Sequence, residues 1–174
     1  MTKLHITLAA VAIAFAAPLS AATDDVLPSG SDDISKYRDA GAWSIYKDET
    51  RGSCFASYKS EQGAIVQFGF TKDEGTGYLG LFSQAAAEQN DNVESAFIAN
   101  GNLYAGMAMG TGASLEDGYN GGYVLVNNPE FVKDIEAGQE LIAFPETPQT
   151  YIIDMRGAKA AVYEVRKCTQ ELGS

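Results

Sequence analysis

Apolar and polar positions alternate along much of the chain, which is the pattern of β-strands that bury one face. In residues 64–70, Val66 and Phe68 share one face, whereas Gln67 and Gly69 take the other. We predict strands over residues 54–58, 64–70, 78–83, 94–98, 103–109, 119–126, 140–144 and 151–155. Their short and regular spacing predicts a mainly β fold, an antiparallel β-sandwich or barrel with short helices.

Helical periodicity replaces the alternation near the C-terminus. We expect the C-terminal helix to pack on the sheet through one apolar face. That face consists of Ala158, Ala161, Val162, Val165, Cys168 and Leu172. A second short helix is predicted from a cap at Asn128, with Pro129 in its first turn, to Gly138. A third is predicted from a cap at Ser31 to Gly41.

The strand predicted over residues 103–109 has one face with little bulk. That face comprises Tyr104, Gly106, Ala108 and Gly110. A glycine-rich strand face indicates close approach of another backbone, an aromatic ring or a ligand. Of these three, we expect an aromatic ring.

The first residues have the pattern of a secretory signal peptide, predicted over residues 1–22. Lys3 provides the positive start, residues 6–17 are apolar, and Ala22 ends a small-residue cleavage site. A membrane anchor is the alternative, but the apolar run is too short to span a bilayer. We therefore predict a periplasmic or secreted protein without a membrane span after cleavage. A flexible acidic leader is predicted over residues 23–31, followed by a single β-rich domain over residues 32–174.

The chain carries a formal net charge of −11. Such an acidic surface repels nucleic acid and anionic lipid, so we predict neither as a partner. It favours solubility, and it would also suit a basic partner. The expected partner is a protein or a glycan at the cell envelope.

Several chemistries are excluded by the residues available. The only histidine, His5, lies in the predicted signal peptide, which leaves no histidine for a nucleophile pair or a usual zinc site. The acidic stretches 89–94 and 116–120 lack the spacing of a calcium loop. We therefore predict no catalytic residues, no metal and no cofactor. Catalysis by paired carboxylates stays open as an alternative, since it needs no histidine.

Tyrosines and acids supply the candidate contact residues. Tyr104, Tyr119 and Tyr123 lie on neighbouring predicted strands beside small residues, where an exposed strip could bind a glycan or peptide. Ordinary half-buried tyrosines are the alternative, and we favour it. Glu116 and Asp117 lie in a glycine-rich loop that could enter the basic cleft of an enzyme.

Three short motifs resemble a known family. They are Trp43 with Cys54-Phe55-Ala56, the strand Ile65-Val66-Gln67-Phe68, and Ile153-Asp154-Met155-Arg156-Gly157 leading to Ala160-Ala161. This arrangement resembles the invasion-associated locus B family and related periplasmic proteins of alphaproteobacteria. The resemblance implies a secreted β-rich domain with a role at the cell envelope or in host contact. It brings no catalytic residues, and the chain lacks that family's second cysteine pair in the middle of the sequence.

Cys54 and Cys168 are the only cysteines, and we predict a disulfide between them. An oxidising compartment favours the bond, and both side chains are expected on apolar faces. Two buried free thiols or an intermolecular dimer are the alternatives. We interpret Trp43, the only tryptophan, as an anchor of the core.

These observations favour an extracytoplasmic binding or envelope-associated module without catalytic activity. A carboxylate-dependent enzyme acting on glycans is one alternative. An acidic secreted inhibitor of an enzyme with a basic cleft is the other.

Overall fold

The computed structural model describes residues 26–71, 76–84, 94–109, 111–144 and 150–173, and within them the chain forms ten strands and two helices. The predicted signal peptide, the start of the leader and residues 89–93 lie outside this part. The strands are β1 (Ile34–Ala40), β2 (Trp43–Asp48), β3 (Ser53–Lys59), β4 (Ile65–Phe70), β5 (Gly77–Ser83), β6 (Glu94–Ala99), β7 (Asn102–Met107), β8 (Asn120–Val126), β9 (Glu140–Ala143) and β10 (Tyr151–Asp154). The helices are α1 (Glu130–Glu136) and α2 (Ala158–Leu172).

The strands form two antiparallel sheets, in agreement with the predicted fold class. The larger sheet has the order β1-β2-β3-β4-β5-β8, and the smaller sheet has the order β10-β9-β6-β7. Met109 and Tyr123 exchange backbone hydrogen bonds of 2.9 and 2.8 Å next to the point where β7 approaches β8. The described strands do not close into a barrel, and the architecture is that of an open sandwich.

The main core contains side chains from both sheets and from α2. Trp43 lies at its centre and is fully buried, which confirms it as a core anchor. Its ring centroid is 5.2 Å from that of Tyr58 and 5.0 Å from that of Phe68. Its indole nitrogen donates a 3.3 Å hydrogen bond to the carbonyl oxygen of Arg156. This hydrogen bond attaches β2, which contains Trp43, to the turn that precedes α2.

A second core lies on the opposite face of the larger sheet. Successive side chains of a strand point to opposite faces, so Leu79 enters the main core whereas Tyr78 enters the second. Leu27 and Ala113, from segments outside the sheet, cover this second core. Leu27, which falls within the predicted leader, is buried in this second core.

The helix predicted from Ser31 to Gly41 is wrong, because Ile34–Ala40 within it form β1. Its half-buried positions are Ile34, Tyr37 and Ala40, three residues apart. A β-bulge between Lys36 and Arg38 shifts the strand register and produces this spacing. A spacing of three imitates the period of a helix, and only pairing with β2 reveals the strand.

The C-terminal helix is confirmed with the predicted apolar face. In α2 all the predicted residues are buried except Leu172, which is half-buried and still packs against the main core. Cys54 on β3 and Cys168 on α2 form the predicted disulfide, with their Cα atoms 5.9 Å apart. In the described part of the chain, neither helix has the length and apolar character required to span a membrane.

The glycine-rich face of β7 points into the core. A Cβ atom on Gly106 would lie 3.0 Å from a methyl group of Val124, so the close neighbour is an aliphatic side chain of β8. The expected aromatic ring is therefore wrong at this position. Aromatic rings do lie against glycines on the larger sheet, where Tyr123 covers Gly80 and Tyr78 covers Gly69.

Candidate functional site

A cavity of about 370 Å³ opens between the segment before β1 and the loop before β8. Its lining residues are Gly30, Asp32, Ile34, Thr111, Gly112, Ser114, Leu115 and Tyr119. The lining combines hydroxyl groups, a carboxylate, backbone and one aromatic ring. Small-molecule sites have volumes from about 300 to 1,000 Å³, so this cavity is at the small end of that range.

The loop over the cavity has a fixed conformation. Ser114 has a φ angle of 53° and Gly112 a φ angle of 75°, in the left-handed region. A Cβ atom on Gly112 would lie 2.8 Å from the ring of Phe82, so only glycine lets the loop lie this close to the second core. The carbonyl oxygen of Ala113 accepts a 2.7 Å hydrogen bond from the side chain of Gln67. These contacts make the cavity a preformed feature of the fold.

Tyr119 is held at the rim of the cavity. Its hydroxyl donates a 2.9 Å hydrogen bond to the carbonyl oxygen of Gly63, in the turn before β4. The amine of Lys59 lies 5.3 Å from the centre of the Tyr119 ring and 2.9 Å from the Glu116 carboxylate. The hydrogen bond with Glu116 is the main reason that the pKa of Lys59 is raised. The ring is thus oriented by Gly63 and Lys59, and Lys59 is in turn held by Glu116.

An acidic pair with an arginine lies behind the cavity. Arg51 donates hydrogen bonds of 3.0 and 3.1 Å to the two carboxylate oxygens of Asp32, and the backbone N–H of Ser29 donates another at 2.8 Å. Burial opposes ionisation of Asp32, but the bond with Arg51 and these other contacts outweigh it and lower its pKa. Asp32 is therefore an ionised, charge-compensated group at the cavity wall.

Asp48 is the buried partner of this pair. Its side chain is fully inaccessible, and its Oδ2 atom has no hydrogen-bond partner. Its Oδ1 atom accepts a 2.9 Å bond from the backbone N–H of Arg51. Burial, together with the nearby charge of Asp32, raises the pKa of Asp48 to about 6. A proton on Asp48 relieves the repulsion between the two carboxylates.

The predicted contact residues are separated by the fold. Tyr119 lines the cavity and Glu116 lies beside it, in an ion pair with Lys59. Asp117 is exposed in the same loop. Tyr123 is fully buried in the second core, where its hydroxyl donates a hydrogen bond to Gln67. The three tyrosines therefore form no exposed strip, since Tyr104 and Tyr123 are buried and Tyr119 is half-buried.

Tyr104 belongs to a separate hydrogen-bonded cluster around Asp134 of α1. The Asp134 carboxylate accepts bonds from Tyr104 and from the side-chain amides of Asn100 at 3.1 Å and Asn102 at 2.8 Å. Burial opposes its ionisation, but these bonds outweigh it and the pKa of Asp134 is lowered. This cluster joins the β6–β7 hairpin to α1, so the role of Tyr104 is structural.

The sequence did not indicate that Asp32, Asp48 and Arg51 belong together. The sequence predicts Asp32 near the start of a helix, and nothing in the spacing of the two aspartates suggests contact. The nearest available signal was the tight turn after Asp48, which ends at Gly52 with a φ angle of 64°.

Among the described residues, no group of histidine, cysteine, aspartate or glutamate side chains could hold a metal ion.

Comparisons with protein family models, with characterised proteins and with solved structures give no significant match to this chain. The resemblance to the invasion-associated locus B family therefore stays a prediction. The candidate site must be interpreted from its own geometry.

Proposed function

We propose that this chain is an extracytoplasmic binding module that holds a small, neutral, hydroxyl-rich ligand in the cavity beside Tyr119. One sugar unit of an envelope glycan is a ligand of this class. The observation that carries the proposal is the charge compensation around a preformed cavity. Asp32 is paired with Arg51 at 3.0 Å, and Glu116 is paired with Lys59 at 2.9 Å. A site without an uncompensated charge favours a neutral ligand over an ion.

The remaining lining groups suit hydroxyl-rich ligands. Thr111 and Ser114 are exposed, and each hydroxyl can donate and accept a hydrogen bond. The half-buried ring of Tyr119 offers an apolar surface whose orientation is already fixed by its bond to Gly63. A fixed ring loses little conformational entropy when a ligand binds, which favours affinity.

The disulfide supports the compartment that this function requires. Such bonds persist mainly outside the reducing cytosol, and the Cys54–Cys168 bond lies inside the main core. We place the protein in the periplasm or the secreted fraction, where envelope glycans are present. Signal-peptide cleavage near Ala22 is part of the same proposal.

Ligand-detected NMR tests the binding. The secreted protein is mixed with a panel of neutral mono- and disaccharides, and saturation transfer from protein to sugar is measured. We expect transfer from at least one sugar, and we expect Tyr119→Ala to abolish it because the ring and its contacts are removed. Tyr163→Ala is the matched control, since Tyr163 is a tyrosine of α2 that is 66% exposed. Equal transfer in both variants, or none with any sugar, would contradict the proposal.

A carboxylate-dependent glycan hydrolase is the second candidate, and the Asp32–Asp48 pair is the observation that favours it. Two carboxyl groups with pKa values shifted in opposite directions are the pattern of acid–base catalysis. However, the side chain of Asp32 is only 3% exposed and Asp48 is fully buried, so neither reaches a substrate freely. Release of reducing sugar by the wild type, and its loss in Asp48→Asn, would support hydrolysis over simple binding.

A further inference from the structure

The outer face of the smaller sheet carries a continuous row of aliphatic side chains. Leu103 on β7 is opposite Ile98 on β6, Ile98 is opposite Ile142 on β9, and Ile142 is opposite Ile152 on β10. Residues that are directly opposite in neighbouring strands project to the same face. We call these four residues the aliphatic row. With strands about 4.8 Å apart, the row extends roughly 14 Å across the sheet.

This row is exposed, in contrast to the other face of the same strands. Leu103 is 64% exposed and Ile152 is 53% exposed, while Ile98 and Ile142 are half-buried. Met107, four residues beyond Leu103 on the same face of β7, is 45% exposed. Of the four large hydrophobic residues exposed in the described part of the chain, three lie on this face. Isolated exposed apolar residues are normal, whereas a contiguous set indicates an interaction surface.

The main core accounts for the opposite face of these strands. Phe97, Tyr104, Leu141 and Ile153 all point inward and are buried. One buried face is sufficient to hold a sheet of this kind, and its other face is normally polar. The aliphatic row is therefore not required by the fold, since polar side chains would suit the same exposed positions.

Two acidic residues border the row. Glu140 lies directly opposite Asp154 across the β9–β10 pair, two residues along from Ile142 and Ile152 on the same face. Both are exposed. Like charges placed opposite each other are unfavourable in a sheet. Asp154 is partly compensated by hydrogen bonds from the backbone and side chain of Arg156, whose side chain is 88% exposed.

We propose that this face docks a protein partner through a cationic amphipathic segment, in which aliphatic side chains cover the row and lysine or arginine side chains meet Glu140 and Asp154. Charge complementarity selects this occupant. A second copy of the chain would bring the same acidic pair and a net charge of −11 to the interface. An anionic membrane would be repelled by the same charges.

The open edge of β10 is a poorer docking surface than the face. The backbone N–H of Ile152 already donates a 3.3 Å hydrogen bond to the side chain of Gln62. An added strand would have to displace this bond. The proposed docking therefore uses side chains on the outer face, and no strand is added to the backbone edge of β10.

A pair of designed peptides tests the proposal. One alternates leucine with lysine, and the other has the same leucines with glutamate in place of lysine. Binding is measured by fluorescence anisotropy, and the site is mapped by amide chemical shifts of the ¹⁵N-labelled protein. We expect the lysine peptide to bind and to shift the amides of Ile98, Ile142 and Ile152. The glutamate peptide should bind at least roughly tenfold more weakly because its charges face Glu140 and Asp154.

Variants separate the apolar and charged parts of the surface. Leu103→Gln with Ile152→Gln should weaken binding of the lysine peptide roughly tenfold, since these residues are the exposed ends of the row. Glu140→Gln should weaken it less and reduce its dependence on salt. Tyr163→Gln, which changes an equally exposed aromatic residue on α2, is the matched control and should bind like the wild type. If the double variant does not fold, peptide binding is measured with the single Leu103→Gln variant instead.

The opposite outcomes would overturn the proposal. Equal binding of both peptides, or shifts confined to the cavity beside Tyr119, would show that the row does not select a cationic segment. Dimerisation of the wild type in size-exclusion chromatography with light scattering, abolished by Leu103→Gln, would assign the row to a second copy. Sedimentation with vesicles of anionic phosphatidylglycerol, lost in the same variant, would assign it to a membrane. The saccharide experiment is independent of all these results because its cavity lies on the larger sheet.

Discussion

The backbone N–H of Cys54 donates a 3.0 Å hydrogen bond to the hydroxyl of Thr169, the residue that follows its disulfide partner Cys168. The same point of β3 is therefore attached to α2 by a covalent bond and by a buried hydrogen bond. This double attachment fixes the C-terminal helix, which as a chain end would otherwise be prone to fraying.

Removal of the disulfide should destabilise the protein substantially. The bond joins residues 114 positions apart, and a cross-link over so long a loop restricts the unfolded chain strongly. We expect Cys54→Ser with Cys168→Ser to lower the free energy of unfolding by roughly 2 to 5 kcal/mol. Urea denaturation of the variant and of the oxidised wild type measures the difference. Peptide mapping without reductant should recover the cross-linked pair, and two free thiols in the wild type would contradict the bond.

Loss of the Thr169 hydroxyl should leave the Cys54 N–H unsatisfied inside the core. We expect Thr169→Val to lower the free energy of unfolding by about 1 to 3 kcal/mol, because the shape is retained but a buried donor loses its partner. Thr169→Ser keeps the hydroxyl and is the control. If Val and Ser have the same denaturation midpoint, the hydrogen bond contributes nothing to stability.

A methyl group added at Gly80 should strain the second core. A Cβ atom there would lie 2.5 Å from the ring of Tyr123, which is fully buried and cannot move aside freely. We expect Gly80→Ala to lower the free energy of unfolding by about 1 to 3 kcal/mol. Gly30→Ala is the matched control, since its nearest neighbour would be at 3.7 Å. Thermal unfolding followed by circular dichroism compares the two variants.

Burial of Asp48 should make the protein less stable as the pH rises. Its pKa is about 6 in the folded protein, above the ordinary aspartate value of 3.8, so the folded state binds the proton more tightly than the unfolded state. Stability from this group is therefore lost between about pH 4 and pH 6 as the pH increases. The loss amounts to at most about 3 kcal/mol for a shift of this size.

Asp48→Asn removes this titration while keeping an oxygen for the Arg51 backbone N–H. We expect the variant to be more stable than the wild type at pH 7.5 and to lose that advantage at pH 4.5. Urea denaturation at several pH values gives the difference in free energy directly. An advantage that is constant across the range would show that Asp48 does not titrate there. Acidic groups other than its neighbour Asp32 cancel in the comparison.

The spacing of apolar and polar side chains was sufficient to predict those strands and helices in which one spacing repeats over several residues. The apolar face of α2 follows from burial on one side of a helix. The alternation in β4 predicted the strand but not its two-sided burial, because all six of its residues are buried. The disulfide could be predicted because only Cys54 and Cys168 were available and both had apolar neighbours. These inferences depend on local spacing and on composition.

The spacing of side chains was not sufficient where the contacts of a residue come from a segment far away in the sequence. Ser31 and Gly41 suggested the two ends of a helix, although pairing with β2 makes Ile34–Ala40 a strand. Tyr104 and Tyr123 had similar surroundings in the sequence. In the structure Tyr104 donates a hydrogen bond to Asp134 in α1, whereas Tyr123 donates one to Gln67 beneath the loop of the cavity. Gly106 proved to be covered by Val124 from the neighbouring strand.

The mainly β class, the C-terminal helix, the cysteine pair and the acidic charge can be predicted from the sequence, because each depends on residue type and short-range period. Which side chains meet depends on the tertiary structure. It brought Asp32, Asp48 and Arg51 together behind a cavity, and it aligned Leu103, Ile98, Ile142 and Ile152 across four strands. Strand order and register set these contacts, and both are fixed by pairing between segments far apart in the chain.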